Sequence, residues 1–372
     1  MGGALASLLT AGAAQAAVTV EPVKQRVARL TALNAQVGGR AVDDKAYVVV
    51  DSPFLKKYTH QWPGTYFAAR FDGTRAYFKV DDSSNILNIR VDGKIISTLT
   101  KPGAQTYVIS GLDKGPHDLR IERLTETQSG NGTFYGFAIP SNEKALPVTP
   151  HARQIEFIGD SYTVGYGNTA GKRTCTKDEI WATTDNSQAF GPLTAKHYNA
   201  DYQINAFSGR GMVRNYGGFI GDPLPALYPY ALYDGKTVYN NPDWKPQIIV
   251  IGLGTNDFTT PLHDGEKWKS REELHADYEA TYVRFVQSLR AKNPDAWFIL
   301  MATDQVDGEI QSEAQRAMAA IQAAGETRIS FLPMNNLNFG GCDFHPDTAD
   351  DRKVSDELIA WIDAHPEIWQ GK

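Results

Sequence analysis

The chain contains little of several residues and patterns that define common protein classes. Two cysteines occur among 372 residues and they are far apart, which excludes a dense disulfide framework and a zinc site of C-x-x-C spacing. The formal net charge is -6, so the cationic surface that a nucleic-acid backbone requires is lacking. No run beyond the N-terminus approaches the ~18 apolar residues of a membrane-spanning helix. We therefore expect neither nucleic acid nor a membrane as a partner.

The length and composition are those of a globular protein with more than one core. At 372 residues the chain exceeds the roughly 250–300 residues at which single cores stop growing. Hydrophobic residues make up 42% and charged residues 22%, which is close to the globular average and excludes a wholly disordered chain. Two domains are therefore expected.

The first 16 residues form a small apolar stretch that ends in Ala14-Gln15-Ala16 and fits a signal-peptide cleavage site. No basic residue precedes Lys24, so the basic start of a typical signal peptide is missing. The alternative is that this segment is a disordered N-terminal tail. We expect residues 1–16 to be a signal peptide and the protein to be secreted or periplasmic.

The two cysteines, Cys175 and Cys342, allow one disulfide at most. In an exported protein such a pair is more often oxidised than free, whereas in the cytosol it is interpreted as two buried small residues. Because export is expected, we predict a disulfide between Cys175 and Cys342.

The first part of the chain, residues 18–140, shows short alternating segments and almost no helical period, which predicts an all-β sandwich or jelly roll. Asp72-Gly73 and Asp92-Gly93 separate alternating runs, and such dipeptides favour tight hairpin turns because they tolerate positive φ. Further strands are predicted over 106–109 and 118–123.

The pattern changes beyond a polar, proline-bearing segment, which we interpret as a linker over residues 141–152. After it, buried strands alternate with helical patterns through residues 153–372. Strands are predicted over 155–158, 247–251, 297–301 and 329–332, and helices over 270–289, 311–324 and 349–362. This alternation predicts an α/β domain with a mostly parallel sheet, in which ligands bind at the carboxyl ends of the strands.

Ser161 directly follows the first of these strands. A serine at this point lies in the crevice of a parallel sheet, where it can act as a nucleophile. The alternative is that Asp160 or Ser161 only caps the next helix. The segment is not the G-x-S-x-G nucleophile elbow, because Thr163 stands where that motif has glycine.

Three further polar or glycine-rich segments follow apolar runs. Asn256 comes after the strand predicted over 247–251, and its side-chain amide can donate to an oxyanion. Gly209 offers an unobstructed backbone N–H, and His345 lies in a glycine-rich loop close to Asp343. The alternative without a function is that the glycines mark ordinary turns and that His345 is a surface histidine. Four such segments at strand ends in one chain nevertheless favour a catalytic site.

Taken together, these segments resemble the conserved blocks of the SGNH, or GDSL, hydrolase superfamily. The matching runs are Gly159-Asp160-Ser161, Ser208-Gly209, Gly254-Thr255-Asn256-Asp257 and Asp343-Phe344-His345-Pro346. The resemblance covers nearly all of residues 153–368. A closer resemblance, to carbohydrate esterase family 2, is carried by Gly165-Tyr166-Gly167-Asn168, Ser208-Gly209-Arg210-Gly211-Met212, Arg214-Asn215-Tyr216 and Gly341-Cys342-Asp343.

The resemblance implies a fold and a set of roles. It implies a flavodoxin-like, three-layer hydrolase domain after a jelly-roll domain, and a carboxylic ester hydrolase that needs no metal or cofactor. Ser161 is the implied nucleophile and His345 the base, with Asp343 as the acid partner. One residue separates Asp343 from His345 where the superfamily has two, so a backbone carbonyl is the alternative partner. The implied oxyanion donors are the N–H groups of Ser161 and Gly209 and the side chain of Asn256.

The expected activity is removal of O-acetyl groups from a carbohydrate of the xylan or glucomannan type through an acyl-enzyme. The alternatives are another SGNH esterase or lipase, and a carbohydrate-binding protein with an inactive hydrolase domain. Four aromatic residues near the motifs, Tyr166, Trp181, Tyr216 and Phe344, are predicted to line the substrate cleft, because flat rings suit the apolar faces of sugars. Ordinary core packing is the alternative for each of them.

Overall fold

The structure is a computed structural model, and it describes residues 17–25, 27, 29–44, 54 and 56–370. The predicted signal peptide, residues 1–16, lies outside the described residues. An all-β domain comes first and an α/β domain follows, as predicted. The strands of the first domain are β1 (Thr19–Pro22), β2 (Leu30–Leu33), β3 (Gln36–Gly38), β4 (Ala41–Asp43), β5 (Tyr58–His60), β6 (Tyr66–Gly73), β7 (Ala76–Asp82), β8 (Ile86–Val91), β9 (Lys94–Thr100), β10 (Gly103–Ser110), β11 (Gly115–Arg123), β12 (Gly132–Pro140) and β13 (Lys144–Leu146).

These strands form two antiparallel sheets in the described part of the chain. One sheet has the order β1-β10-β7-β12-β5-β4 with β2 beside β12, and the other has the order β13-β6-β11-β8-β9 with β3 beside β6. Alternate residues face inward because side chains on a strand point to opposite faces. They build one aromatic and aliphatic core, which includes Phe67, Phe71, Phe78, Ile89, Ile121, Phe134 and Phe137. The sandwich fold is therefore confirmed.

The two predicted hairpin turns have different outcomes. Asp92-Gly93 joins β8 to β9 with Val91 opposite Lys94, and both turn residues have positive φ, as a tight primed turn requires. The hairpin predicted at Asp72-Gly73 is wrong, because β6 and β7 belong to different sheets. Turn residues determine where the chain reverses, but the pairing of the next strand depends on contacts that are distant in sequence.

The predicted linker, residues 141–152, is not wholly a linker. Within it, β13 pairs antiparallel with β6, and Lys144 lies opposite Asp72. The sandwich therefore extends past residue 140, and a short segment connects it to the next domain.

The second domain contains a five-stranded parallel sheet between helices. Its strands are β14 (Arg153–Gly159), β15 (Ala200–Ala206), β16 (Ile248–Gly252), β17 (Trp297–Thr303) and β18 (Ile329–Met334). Its helices are α1 (Ser161–Val164), α2 (Lys177–Thr183), α3 (Phe190–His197), α4 (Leu224–Leu227), α5 (Thr255–Phe258), α6 (Arg271–Lys292), α7 (Glu309–Ala323) and α8 (Thr348–Asp363). No helix in the described residues is long and apolar enough to cross a membrane.

The strand order is β15-β14-β16-β17-β18, with every pair parallel. This is the doubly wound order of flavodoxin-like folds. Two apolar cores lie on opposite faces of the sheet, one under α6 and α7 and the other under α3 and α8. The three-layer architecture predicted for this domain is therefore confirmed.

The two domains share a buried polar interface. Arg40 of the sandwich is 2% exposed, and its guanidinium lies 3.4 Å from the Glu156 carboxylate on β14. Trp62 is buried in the core of the second domain and donates from Nε1 to the Tyr230 carbonyl at 3.0 Å. Because buried charges must be paired, these contacts fix the sandwich against the hydrolase domain.

We predict that Arg40→Met destabilises the protein strongly, since it leaves the Glu156 carboxylate buried without its cation. The expected loss is about 3–5 kcal/mol in the free energy of unfolding, measured by urea denaturation. Arg70→Met is the control, because the Arg70–Asp118 pair is exposed and is expected to contribute about 0–1 kcal/mol. Equal losses for the two variants would contradict a structural role for Arg40.

Candidate active site

The predicted site residues meet at the carboxyl ends of three adjacent strands. Ser161 follows β14, Gly209 follows β15 and Asn256 follows β16, and β14 lies between the other two strands. His345 reaches the same place from the loop between β18 and α8. All four residues line one cleft of about 500 Å³. Strand order thus explains how residues that are far apart in sequence come together.

Ser161 is held at the start of a single helical turn. The Asp160 side chain accepts a hydrogen bond from the Tyr162 backbone N–H at 3.1 Å, so Asp160 is the residue that caps α1. Gly165 ends the turn with a φ of 77°, a left-handed conformation that favours glycine. Burial raises the pKa of Asp160 to about 7. The capping alternative therefore applies to Asp160 and leaves the Ser161 hydroxyl free to face the cleft.

His345 contacts Ser161 directly. Its Nε2 lies 2.8 Å from Ser161 Oγ, and its Nδ1 lies 2.9 Å from the Cys342 carbonyl and 3.2 Å from the Asp343 carbonyl. A carbonyl oxygen only accepts hydrogen bonds, so Nδ1 must carry the proton. Nε2 then has a free lone pair and accepts from the Ser161 hydroxyl, which is the arrangement of a nucleophile with its general base.

The structure corrects the prediction that the Asp343 carboxylate orients His345. That carboxylate accepts a hydrogen bond from the Tyr166 hydroxyl at 3.1 Å, while the Asp343 carbonyl faces the imidazole. Asp343 has a φ of 50°, and a single residue separates it from His345, so its backbone and not its side chain reaches Nδ1. Backbone carbonyls, the predicted alternative to the carboxylate, therefore orient His345.

The surroundings of His345 favour its neutral form. Burial lowers the pKa of His345 to about 4, and the two carbonyl contacts and the charge of Asp343 act in the opposite direction. The Tyr166 ring lies 4.3 Å from the imidazole centroid and the Tyr162 ring 5.2 Å from it. A histidine that stays neutral at pH 7 is ready to accept a proton.

The predicted oxyanion donors differ in how they are engaged. Among the described residues, the backbone N–H groups of Ser161 and Gly209 have no hydrogen-bond acceptor. The Asn256 amide donates to Asp160 Oδ2 at 3.2 Å and to the Arg210 carbonyl at 2.9 Å. Donation from Asn256 to a substrate therefore requires one of these bonds to be shared or exchanged.

Three of the four predicted aromatic residues line the cleft. Tyr166, Tyr216 and Phe344 contribute to its walls, and the Tyr216 and Phe344 side chains are 56% and 60% exposed. The prediction for Trp181 is wrong. Its Nε1 donates to the Ser84 carbonyl at 2.9 Å, and the Lys101 ammonium lies over its ring. Since both partners belong to the sandwich, Trp181 is a contact between the domains.

Two buried carboxylates that position the site were not identified from the sequence. Asp257 accepts three backbone N–H bonds at 2.8–2.9 Å, from Met212, Val213 and Arg214. Burial raises its pKa to about 6. Its place beside Asn256 was the only available signal for this role.

The second carboxylate is Asp351 on α8, which joins the segments that carry Ser161 and His345. It accepts from the Asn168 side chain at 2.9 Å and from the Phe190 N–H at 3.1 Å. Burial raises its pKa to about 8. Nothing in the local sequence distinguishes Asp351 from an ordinary exposed residue of a helix.

The loop that carries His345 is covalently tied. Cys175 and Cys342 form a disulfide, as predicted, across 167 residues. The Asp343 N–H also donates to the Arg173 carbonyl at 2.6 Å. Closing a loop of this length stabilises a fold by about 5 kcal/mol in the chain-entropy description. The disulfide therefore restrains the residues whose carbonyls orient His345.

No cluster of His, Cys, Asp and Glu suited to a metal occurs in the part of the chain that the structure describes.

Comparisons with known proteins agree with this geometry. Residues 52–149 match the family described as Carbohydrate esterase 2 N-terminal, and residues 157–366 match the GDSL-like Lipase/Acylhydrolase family. A protein of Cellvibrio japonicus (strain Ueda107) named acetylxylan esterase / glucomannan deacetylase is 44% identical over 99% of this chain and 98% of its own length. The chain belongs to carbohydrate esterase family 2.

Solved structures of this esterase family show the same fold. One, described as a carbohydrate esterase whose active site displays divergent catalytic and non-catalytic binding functions, is 44% identical and has a TM-score of 0.85, covering 91% of this chain and all of its own. A family two carbohydrate esterase from Clostridium thermocellum in complex with cellohexaose is 26% identical, with a TM-score of 0.75 over 90% of this chain and all of its own. The esterase is thus an SGNH-type hydrolase with an N-terminal sandwich.

The lowered pKa of His345 predicts the acid limb of the pH profile. Because the base must be neutral, activity is lost as the pH falls through the His345 pKa, so the limb of kcat/KM should lie near pH 4 and below the ordinary 6.5. Asp343→Asn should move the limb lower still, since the Asp343 charge raises that pKa. Asp160→Asn is the control, because Asp160, whose burial raises its pKa to about 7, could itself produce an acid limb. An acid limb of kcat/KM at pH 6.5 or above that Asp160→Asn leaves unchanged would contradict the assignment to His345.

Proposed function

We propose that this enzyme removes O-acetyl groups from polysaccharides of the xylan or glucomannan type, or from their oligosaccharides, through an acyl-enzyme on Ser161. The observation that carries the proposal is the 2.8 Å contact between Ser161 Oγ and His345 Nε2 at the base of the cleft. A serine hydroxyl is a weak nucleophile near pH 7, and a base at this distance activates it.

In the first half of the reaction, His345 Nε2 takes the hydroxyl proton as Ser161 Oγ attacks the acetyl carbonyl. The imidazolium that forms is stabilised at Nδ1 by the carbonyls of Cys342 and Asp343, because both oxygens carry partial negative charge. His345 then gives its proton to the departing sugar oxygen. The sugar alcohol leaves and Ser161 carries the acetyl group.

The negative charge of the tetrahedral intermediate needs donors that are already in place. The unengaged N–H groups of Ser161 and Gly209 supply two, and the amide of Asn256 supplies a third after it releases or shares a bond to Asp160 or Arg210. In the second half of the reaction a water molecule replaces the sugar, and His345 activates it in the same way. Acetate and free enzyme result.

The substrate class rests on the relatives and on the cleft. The 44% identical relative is named an acetylxylan esterase / glucomannan deacetylase. In this chain the exposed rings of Tyr216 and Phe344 stand at the walls of the cleft, where they offer flat apolar surfaces to a sugar. A site that accommodates a sugar beside Ser161 favours a short acyl group.

We also propose that the mature protein acts outside the cytoplasm. The Cys175–Cys342 disulfide supports this, since such bonds form and persist in oxidising compartments. The N-terminal stretch ending in Ala14-Gln15-Ala16 is the sequence feature that agrees with it.

The catalytic roles predict a graded series of kinetic effects with 4-nitrophenyl acetate. Ser161→Ala or His345→Ala should lower kcat by roughly 10⁴- to 10⁶-fold, while the circular dichroism spectrum is retained. Asn256→Ala should lower kcat by about 10²- to 10³-fold. Asp343→Ala should cost less than His345→Ala, because the Asp343 carbonyl remains. Substantial turnover by folded Ser161→Ala would remove Ser161 as nucleophile.

The substrate proposal predicts acetate release from acetylated xylan and glucomannan, together with a preference for short acyl chains in a series of 4-nitrophenyl esters. The control is Ser161→Ala on the same polymers, which should release none. Faster hydrolysis of octanoate than acetate, with no acetate from either polymer, would indicate a lipase-like SGNH enzyme instead. Binding of both polymers without any turnover would indicate a carbohydrate-binding protein.

A further inference from the structure

A loop of the sandwich domain reaches the oxyanion turn of the hydrolase domain. This clamp loop, residues 124–131, connects β11 to β12. Glu126 accepts a hydrogen bond from the Ser208 N–H at 2.8 Å, and Gln128 Nε2 donates to the Ser208 carbonyl at 3.2 Å. Ser208 directly precedes Gly209. Both backbone polar groups of Ser208 are therefore bonded to side chains from the other domain.

The carbonyl of Ser208 and the N–H of Gly209 belong to one peptide unit. Because a trans peptide is planar, its C=O and N–H point in opposite directions. A donor that fixes the Ser208 oxygen on one side of the turn thereby fixes the Gly209 N–H on the other. Gln128 thus determines the direction of a proposed oxyanion donor without touching the substrate itself.

The conformation of the turn makes this restraint significant. The Arg210 N–H donates to the Phe207 carbonyl at 3.2 Å, and Gly209 has a φ of 82°, as the third residue of a type II turn has. A type I turn with the same ends differs mainly by a flip of the central peptide, here the one between Ser208 and Gly209. That flip reverses the Gly209 N–H and turns a carbonyl oxygen toward the negative charge.

We propose that Gln128 is a positioning residue that holds the Ser208–Gly209 peptide in its donating orientation, and that Glu126 supports it by fixing the preceding peptide through the Ser208 N–H. The sandwich domain thereby completes the oxyanion hole of the hydrolase domain. The inference rests on the proposed function, in which the Gly209 N–H stabilises the oxyanion.

The clamp loop is anchored well enough to act in this way. At its start the Asn186 N–H donates to the Leu124 carbonyl at 2.9 Å, which joins the loop to the hydrolase domain. Buried Arg123 donates to the Thr125 carbonyl at 2.9 Å and to the Gln61 carbonyl at 2.6 Å. These bonds fix the β11 end of the loop to both domains, so the side chains of Glu126 and Gln128 extend from a fixed support.

The test compares Gln128→Met with Ser129→Met in the full-length protein. Gln128 and Ser129 are adjacent and exposed, and methionine removes the Gln128 donor with little change in length and no change in charge. Complete loss of an oxyanion donor lowers kcat by about 10²- to 10³-fold, and a donor that flips only part of the time loses less. We expect kcat of Gln128→Met to fall at least roughly tenfold, with KM and the melting temperature unchanged, and Ser129→Met to behave as wild type.

A second pair of variants tests the other bond. Glu126→Gln keeps an oxygen that accepts from the Ser208 N–H, whereas Glu126→Ala removes it. The alanine variant should lose less kcat than Gln128→Met, because the bond that it removes fixes the preceding peptide, and the glutamine variant should recover most of that loss. Inactivation by a 4-nitrophenyl alkylphosphonate, whose phosphoryl oxygen occupies the oxyanion position, should slow in parallel with kcat.

The outcomes separate this inference from the proposed function. If wild type does not hydrolyse acetyl esters, or Ser161→Ala still does, the proposed function fails. If wild type is active and Ser161→Ala is not, but Gln128→Met matches Ser129→Met in kcat, the clamp is overturned. Loss that appears in KM alone would also overturn it, because a misplaced oxyanion donor acts on the transition state.

Discussion

The site depends on the hydrogen bond between Ser161 Oγ and His345 Nε2, which joins residues 184 positions apart in the chain. Much of the surrounding structure keeps this bond in place. Asp160 caps the turn that presents Ser161, the Cys175–Cys342 disulfide ties down the histidine loop, and Asp351 joins the two segments. Two backbone carbonyls orient the imidazole where many serine hydrolases use a carboxylate. A carbonyl is a neutral acceptor, so the imidazole of His345 is oriented without a buried carboxylate in contact with it.

The sandwich domain is firmly packed against the hydrolase domain that carries the site. Arg40 and Trp62 insert into the hydrolase domain, and Trp181 reaches back to the sandwich. Buried pairs of this kind are costly to separate, so the clamp loop has a fixed support. The contacts of Glu126 and Gln128 with Ser208 then give the sandwich a role at the reacting centre itself. A separable carbohydrate-binding module would need none of these contacts.

What could be predicted from the sequence follows from the range of the interactions involved. Strong periodic patterns predicted α6, α7 and α8 and the apolar strands of the parallel sheet, and the four motif segments brought Ser161, Gly209, Asn256 and His345 to one cleft. The failures concern partners that are distant in sequence. Asp72-Gly73 marks a reversal but not the sheet that β7 joins, and Trp181 lies near a motif but packs on the sandwich. No strand was predicted at β15, which is buried although it contains Asp201 and Gln203, because Gln36 and Arg40 of the sandwich bond to these two side chains. No local pattern encodes such partners.

If His345 activates Ser161 as a nucleophile, turnover passes through an acetyl-enzyme on Ser161 that can be trapped. The enzyme is mixed with 4-nitrophenyl acetate, quenched in acid during turnover, digested and mapped by mass spectrometry. This mechanism predicts an acetyl group on the peptide that contains Ser161, present in wild type and absent when His345 is replaced by alanine. Turnover with the acetyl group on another residue, or an equal yield of acetylated Ser161 without His345, would contradict it.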